Sequence, residues 1–184
     1  LLRGGGRVLD LGTGSGAIAI ALALHCPEAE VIACEASEAA LGIARANARR
    51  HAAAVRFVRS DWFAGLRGER FDVLMSCLAS RTGAPTDAWA IDHGAHSRML
   101  AVAKAAGIGQ MVLLSAICVQ KPLLAFQQAK LAFERELIES GLRYSIVRPT
   151  AFFKSLAGQI ERVRAGKPYL VFGNGELTRC KPVS

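Results

Sequence analysis

The stretch RVLDLGTGSGAIAIALA, residues 7–23, restricts the possible folds of this chain more than any other segment. It begins as an apolar strand, passes through Gly12, Gly14 and Gly16, and continues as an aliphatic helix. Glycine permits a sharp turn and the close approach of a ligand, and the free N–H groups at the start of a helix attract a nucleotide. The stretch therefore predicts a nucleotide-binding strand–turn–helix unit, although a tight turn without a ligand would use the same glycines.

Strand-like and helix-like segments alternate along the whole chain. The predicted strands are residues 7–11, 31–34, 55–58, 72–76, 111–114 and 144–147, with a weaker one at 169–172. The predicted helices are residues 15–25, 38–51, 91–106 and 123–140, with a short one near 159–164. Repeated strand–helix–strand units form right-handed crossovers. We therefore predict an α/β fold in which residues 1–184 form one domain, a single Rossmann-like doubly wound parallel sheet of six to seven strands.

The composition restricts the setting in which the chain works. The five cysteines are scattered without CxxC spacing, which favours reduced thiols over a disulfide framework or a zinc site. No apolar run is long enough to span a membrane, and no targeting segment is recognisable. We therefore predict a bacterial-type cytoplasmic protein. Because the chain starts with Leu rather than Met, we also expect it to be a piece of a longer one.

The net charge of +8 is distributed unevenly. Residues 1–76 carry nine Lys and Arg against eight Asp and Glu, whereas residues 77–184 carry fourteen against seven. The basic residues of the second half stand singly, without the runs or interleaved aromatic residues that are typical of nucleic-acid binding. We therefore expect no nucleic-acid partner, and we interpret the positive charge as attraction for a small anionic ligand.

Carboxylates stand close to the glycine turn and at the ends of the next two strands. Asp10 precedes the glycines, where it would repel a pyrophosphate and attract a cationic ligand. Glu35 ends the second strand, at the distance along the chain where a carboxylate can accept both ribose hydroxyls. Asp61 and Trp62 follow the third strand, where a polar group and a ring can flank adenine. A solvated Glu35 and a core position for Trp62 remain open alternatives.

Four segments of the first half are similar to the protein-glutamine N5-methyltransferases that modify peptide chain release factors. They are VLDLGTGSGAIAIALA, VIACEASEAALGIARANA, VRFVRSDWFAGL and RFDVLMS, between about residues 7 and 76. The resemblance implies that S-adenosylmethionine (SAM) is held by Asp10, Gly12, Gly14, Gly16, Glu35 and Asp61. After its fourth strand this family has Asn-Pro-Pro-Tyr, which holds the amide to be methylated. The positions here read Cys77, Leu78, Ala79 and Ser80, so the resemblance implies SAM binding without the clamp for glutamine.

The second half places a different set of polar residues at its strand ends. Ser115 ends the fifth predicted strand, at the sheet edge where ligands gather. Phe126 and Lys130 are spaced to share one face of a helix. RPT, residues 148–150, ends the sixth strand. His93 and His96 are expected on the helix surface, and Phe152 and Phe153 are either core packing or a cover for a flat ligand.

Residues 76–184 resemble the divinyl chlorophyllide 8-vinyl reductases, atypical short-chain dehydrogenases, most clearly in LLSAICVQKPLLAFQ and YSIVRPTAFFKSL. The resemblance implies hydride transfer from NADPH to a vinyl group of a chlorophyllide-like substrate. It implies catalytic or nicotinamide-binding roles for Ser115, Lys130 and Thr150, and substrate contacts from Arg148, Phe152, Phe153 and Lys154. Phe126 stands where most of the superfamily has a tyrosine acid, and phenylalanine cannot donate a proton.

The reductase half lacks its own glycine loop, because the corresponding part of the chain is DLGTGSG followed by Glu35, which would repel a 2′-phosphate. We interpret the chain as a chimera with a switch near residue 76 inside the fourth strand. Three hypotheses follow: a SAM-binding domain with little or no turnover, a vinyl reductase that accepts a nicotinamide cofactor, and an inert folded scaffold.

Overall fold

Six parallel strands form one sheet in the computed structural model, which describes residues 5–150 and 153–169, and of residues 153–158 only the backbone. The strands are β1 (Gly6–Leu11), β2 (Ala29–Glu35), β3 (Val55–Arg59), β4 (Val73–Ser76), β5 (Gln110–Leu114) and β6 (Arg143–Val147). Their order across the sheet is β3-β2-β1-β4-β5-β6. The order reverses between β1 and β4, and such a reversal creates the crevice in which doubly wound folds bind ligands.

Helices connect the strands on both faces of this sheet. They are α1 (Ala17–His25), α2 (Glu38–Arg50), α3 (Pro85–Ala88), α4 (His96–Ala105), α5 (Ala125–Glu139) and α6 (Phe153–Arg164). A π-helical stretch, Trp89–Ala95, joins α3 to α4, and a short 3₁₀ turn, Ala64–Leu66, lies between β3 and β4. No helix among the described residues is long and apolar enough to cross a membrane.

The two helical layers have different partners on the sheet. Ile18 and Leu22 of α1 pack against one face, on a cluster of Val8, Val73, Met75 and Val112. Met99 and Ala103 of α4 pack on the other face, against side chains that include Leu9, Ile32 and Leu74. This arrangement follows from right-handed crossovers, which place helices on opposite faces when the strand order runs in opposite directions.

The predicted fold class is confirmed: the chain forms one α/β sheet with Rossmann-like winding. Each of the six main strands is present, with bounds within two residues of prediction. Of the weaker strand at 169–172, Tyr169 is outside any strand and the rest lies outside the described residues. The helix predicted at 91–106 begins earlier, at Pro85, because α3 and the π-helical stretch precede α4.

The expectation that His96 lies on the helix surface is wrong. His96 is completely buried, and its Nε2 lies 3.0 Å from Ser76 Oγ at the end of β4. Its Nδ1 lies 2.9 Å from the Ile91 carbonyl oxygen, so Nδ1 carries the proton and Nε2 accepts from the serine hydroxyl. Burial lowers the pKa of His96 to about 4, which keeps the ring neutral. A π-helical stretch directly precedes His96, so the regular helical period used for the prediction does not apply there.

Candidate functional site

A cavity of about 200 Å³ opens at the carboxyl ends of the strands, beside the point where the strand order reverses. It lies between the glycine turn after β1, the end of β2, the segment after β3 and the loop after β4. Its lining residues are Leu11, Gly12, Cys34, Glu35, Ala36, Ser60, Asp61, Trp62 and Leu78. Ligand pockets for whole drug-sized molecules usually measure roughly 300–1,000 Å³, so this cavity suits a nucleoside-sized group.

The glycine turn has a conformation that only glycine adopts without strain. Gly12, Gly14 and Gly16 have φ values of 76°, 57° and 80°, all in the left-handed region. A Cβ atom on Gly16 would lie 3.0 Å from the Cβ of Ala44, so glycine also permits the close packing of α1 on α2. The Asn47 side chain then fixes the turn, because its Nδ2 donates to the Ser15 carbonyl oxygen at 2.9 Å.

Glu35 binds this turn directly. Its Oε2 accepts a hydrogen bond from the Gly14 N–H at 3.1 Å, and its Oε1 accepts one from the Ser37 N–H at 3.0 Å. Each carboxylate oxygen has further lone pairs that can accept a ribose hydroxyl. The Glu35 carboxylate thus accepts from the Gly14 N–H, which is then not available to donate to a phosphate.

Asp10 lies beneath the turn and is almost completely buried. Its Oδ2 accepts a hydrogen bond from Thr13 Oγ1 at 2.6 Å. The pKa of Asp10 is raised to about 6, chiefly because burial removes the carboxylate from water; hydrogen bonds oppose this rise, and the charge of Glu35 adds to it. Two carboxylates therefore give this end of the crevice a negative potential that favours a cationic group.

The segment after β3 holds a bulky residue in a strained conformation. Trp62 has a φ of 53°, which is uncommon for a residue with a large side chain. The Trp62 carbonyl oxygen accepts from Ser60 Oγ at 2.6 Å, and Ser60 Oγ accepts from the Gly65 N–H at 2.9 Å. These bonds hold Trp62 and the exposed Asp61 at the cavity. Their role beside a base stays a prediction.

Lys130 lies in a buried polar cluster at the end of β5, outside the cavity lining. Its Nζ is 3.0 Å from Asp92 Oδ1 and 3.4 Å from the Leu114 carbonyl oxygen. Both oxygens of Asp92 also accept from the Ser80 N–H at 3.3 Å. Sequence reasoning missed Asp92, although a carboxylate in the otherwise apolar WAIDHGA segment is a signal that could have identified it.

The remaining predicted site residues are less closely grouped. Ser115 follows β5 and is buried, and its Oγ has no hydrogen-bond partner among the described residues. Arg148 binds the buried Glu134, with Nε 3.1 Å from Oε1 and a second contact between Nη2 and Oε2. Thr150 is half-buried beyond the end of β6.

Three of the predicted substrate contacts, Phe152, Phe153 and Lys154, are consecutive in the sequence. Phe152 lies outside the described residues. Phe153 and Lys154 are the first residues of α6, and their side chains lie outside the described part of the chain. Their roles stay predictions.

Cys77 directly follows β4 and is half-buried. The pKa of Cys77 is raised to about 12, chiefly by burial; the charge of Asp10 contributes to the rise, and the charge of Lys130 opposes it. Both charged groups therefore lie within electrostatic range of one thiol. The cavity lining joins Glu35 and Asp61 of the first half with Leu78 of the second, whereas Asp10 and Lys130 are not part of that lining.

The fold and the cavity define a Rossmann-like nucleotide-binding α/β domain. The family model for the methyltransferase small domain matches residues 2–104, and the model for NAD(P)H-binding domains matches residues 66–180. Each match spans more than half of the chain. The chain therefore belongs to both families, and its chimeric architecture is shown.

Proteins with similar sequences also fall into two groups, one for each family. The divinyl chlorophyllide a 8-vinyl-reductase, chloroplastic, of Cucumis sativus is 60% identical over 118 residues, covering 61% of this chain and 28% of that protein. The release factor glutamine methyltransferase of Bordetella pertussis is 54% identical over 71 residues, covering 38% of this chain and 26% of that protein. The chain thus spans less than a third of the length of either relative.

Among solved structures, the UDP-glucuronic acid 4-epimerase of Bacillus cereus in complex with NAD has a TM-score of 0.69 at 14% identity, and the match covers 92% of this chain and 66% of the epimerase. At this identity the likeness supports the fold alone.

Proposed function

We propose that this chain binds the adenosyl part of S-adenosylmethionine in the cavity after β1–β4, with little or no methyl transfer. The observation that carries the proposal is the Glu35 carboxylate, which accepts the Gly14 N–H and lines the cavity. In this position it is ready to accept ribose hydroxyls. Asp10 below it adds a second negative charge that favours the sulfonium and amino groups of SAM.

The same geometry disfavours a dinucleotide. A pyrophosphate needs free loop N–H groups, and the Gly14 N–H already donates to Glu35. Two carboxylates close to the turn would repel its charge, and the cavity of about 200 Å³ is small for a second nucleoside. SAM therefore fits the first half better than NADPH does.

The loop after β4 supports binding without methylation of glutamine. Its residues Cys77, Leu78 and Ala79 carry no side-chain amide or ring hydroxyl, and the Ser80 N–H donates to Asp92. Nothing in this loop replaces the groups that would orient an amide nitrogen beside the methyl group. Productive transfer requires that orientation.

Isothermal titration with SAM, S-adenosylhomocysteine (SAH), NADPH and NADH tests the proposal. We expect SAM and SAH to bind and Glu35→Gln to weaken both about tenfold or more, as for a lost hydrogen bond to a charged group. Glu38→Gln is the matched control, because Glu38 pairs with Arg45 outside the cavity. Tight NADPH binding without SAM heat would overturn the proposal, and no heat from any of the four would favour an inert scaffold.

A second candidate function is an NADPH-dependent reductase of a vinyl group on a chlorophyllide-like substrate. The buried Ser115 Oγ at the end of β5 favours it, because a buried hydroxyl normally has a partner and this one has none among the described residues. In this proposal Lys130 and Thr150 would contact the nicotinamide nucleotide, and Arg148, Phe152, Phe153 and Lys154 the substrate.

Oxidation of NADPH in the presence of divinyl chlorophyllide tests the second candidate. We expect loss of turnover in Ser115→Ala if the hydroxyl contacts the cofactor or substrate. The absence of NADPH oxidation by the wild-type chain would refute it.

A further inference from the structure

We propose that Asp92 and Lys130 are a positioning pair for the nucleoside cavity, because they hold the loop after β4 so that Leu78 forms one wall of it. This inference rests on the proposed function, since it assigns a role to residues outside the cavity in binding the adenosyl group. It also assigns Lys130 a role that differs from direct contact with a nicotinamide nucleotide.

The first step of the argument is the position of Leu78. Its side chain lines the cavity and packs on the core cluster that contains Leu9, Leu11 and Met99. A Cβ atom on Gly12 would lie only 2.6 Å from Leu78 Cδ2, so the leucine rests directly on the glycine turn. Leu78 comes from the loop where the methyltransferase family carries its substrate clamp, and it closes the cavity with an apolar surface instead.

The second step is the attachment of this loop. Two residues after Leu78, the Ser80 N–H donates to both oxygens of Asp92 at 3.3 Å. Asp92 is 1% exposed, and it is held in the π-helical stretch between α3 and α4. The loop that carries Leu78 is therefore bound at Ser80 to a buried side chain that cannot move without breaking other contacts.

The third step is the role of Lys130. It is 5% exposed, and its ammonium group contacts Asp92 at 3.0 Å and the Leu114 carbonyl oxygen at 3.4 Å. Breaking a buried ion pair by removing one partner is strongly unfavourable, so Lys130 holds the Asp92 side chain in place. Lys130 is absent from the cavity lining. Its effect on a bound nucleoside must pass through Asp92, Ser80 and Leu78.

The binding experiment is titration of SAH into the wild type, Asp92→Asn, Lys130→Met, Leu78→Ala and the double variant Leu78→Ala/Asp92→Asn. We expect each single change to weaken SAH binding about tenfold, the size expected when apolar packing is removed from one side of a ligand. Because Asp92 acts through Leu78, adding Asp92→Asn to Leu78→Ala should cause less than about a twofold further decrease in affinity. Independent, multiplying decreases would overturn the proposal.

The second measurement follows the loop without any ligand. Cys77 precedes Leu78 and is half-buried, so its alkylation rate reports opening of the loop. We expect Asp92→Asn and Lys130→Met to increase the alkylation rate of Cys77 about tenfold or more, as read by peptide mass spectrometry. Cys26, which follows α1 at the opposite edge of the sheet, is the internal reference and should keep its rate.

Two further variants separate positioning from general destabilisation. Glu134→Gln breaks another ion pair on α5, in which the buried Glu134 contacts the partly exposed Arg148 just after β6, two strands away from β4. It should lower the unfolding midpoint while SAH affinity and Cys77 alkylation stay unchanged. If the single variants of the pair do not fold, Asp92→Leu/Lys130→Met replaces it with apolar side chains, a change that proteins often tolerate. The proposal then requires weak binding and fast Cys77 alkylation in that double variant.

The outcomes distinguish this inference from the proposed function. If wild-type protein does not bind SAH, the proposed function is wrong, and the Cys77 rates alone decide whether the pair holds the loop. If SAH binds but the pair variants keep both affinity and Cys77 protection, the positioning role is wrong. Loss of NADPH binding in Lys130→Met, with SAH affinity and Cys77 alkylation unchanged, would assign Lys130 to direct cofactor contact.

Discussion

Asp10→Asn separates the contribution of the buried carboxylate to binding from its cost to stability. The carboxyl group is 2% exposed, and its burial raises the pKa from 3.8 to about 6. A raised pKa means that the folded state disfavours the charged form. Asparagine keeps the shape and the oxygen that accepts from Thr13, and it removes the charge. We therefore expect the variant to be more stable than the wild type near neutral pH and to bind SAM less well.

The magnitude follows from the difference between the two pKa values. A pKa that rises by one on folding corresponds to about 1.4 kcal/mol, so the charged Asp10 lowers the free energy of unfolding by on the order of 3 kcal/mol. Between the unfolded value of 3.8 and the folded value of about 6, the folded state binds the proton and the unfolded state does not. Protonated Asp10 therefore contributes its full stability below pH 3.8, and this contribution is lost as the pH rises through about 6.

The assay is urea unfolding of wild type and variant at about pH 7.5 and about pH 4. We expect Asp10→Asn to gain up to about 3 kcal/mol at the higher pH and close to none at the lower. Glu28→Gln, which alters an exposed carboxylate, should change neither value. Titration with SAM and SAH should show that the variant loses the preference for the cationic ligand. A variant that is destabilised equally at both pH values would refute the reasoning.

Three further predictions concern the buried histidine and the two ends of the cavity. Because the pKa of His96 is lowered from 6.5 to about 4, the wild type should lose about 3 kcal/mol of stability as the pH falls through this range. Urea unfolding of His96→Gln at several pH values should show that this loss of stability is absent. Gly12→Ala would place an alanine at a φ of 76° with its Cβ against Leu78, so the free energy of unfolding should fall by about 1–2 kcal/mol. Calorimetry should show weaker binding of SAH to this variant. Glu35→Arg should shift calorimetric preference from SAM toward NADPH if the second half still accepts a nicotinamide nucleotide, and an unchanged preference would count against the reductase proposal.

The sheet could be predicted because short apolar segments alternate with helix-like segments along the chain. Carboxyl ends of neighbouring parallel strands meet at one edge of a sheet, so Glu35 and Asp61 could be expected beside the glycine turn from the sequence alone. Their part in binding stays a prediction. The prediction of the strands was equally direct, because short apolar segments between turns leave few alternatives.

Helical periodicity could not predict the burial of Asp92 and His96. A helical period of 3.6 residues assigns faces to a regular α-helix, but the π-helical stretch changes the rotation per residue within that segment. The partners of these residues, Lys130 and Ser76, are far away in the sequence. Only the folded chain shows that the polar side chains satisfy one another.

The switch of family inside β4 is compatible with one sheet because backbone hydrogen bonds do not depend on the side chains. Residues of β4 pair with β1 on one side and β5 on the other in continuous register. The side chains then mix the two families within single clusters: Leu74 of the first half packs with Met99 and Ile108 of the second, and Met75 lies with Val112 and Ile18. Neither half can bury its apolar face without the other, since removing either would expose clusters that are now closed.

The nucleoside cavity also combines the two families, because Gly12 and Glu35 come from one family and Leu78 from the other. The stability of the sheet and the shape of this cavity therefore depend on contacts that neither family has in isolation.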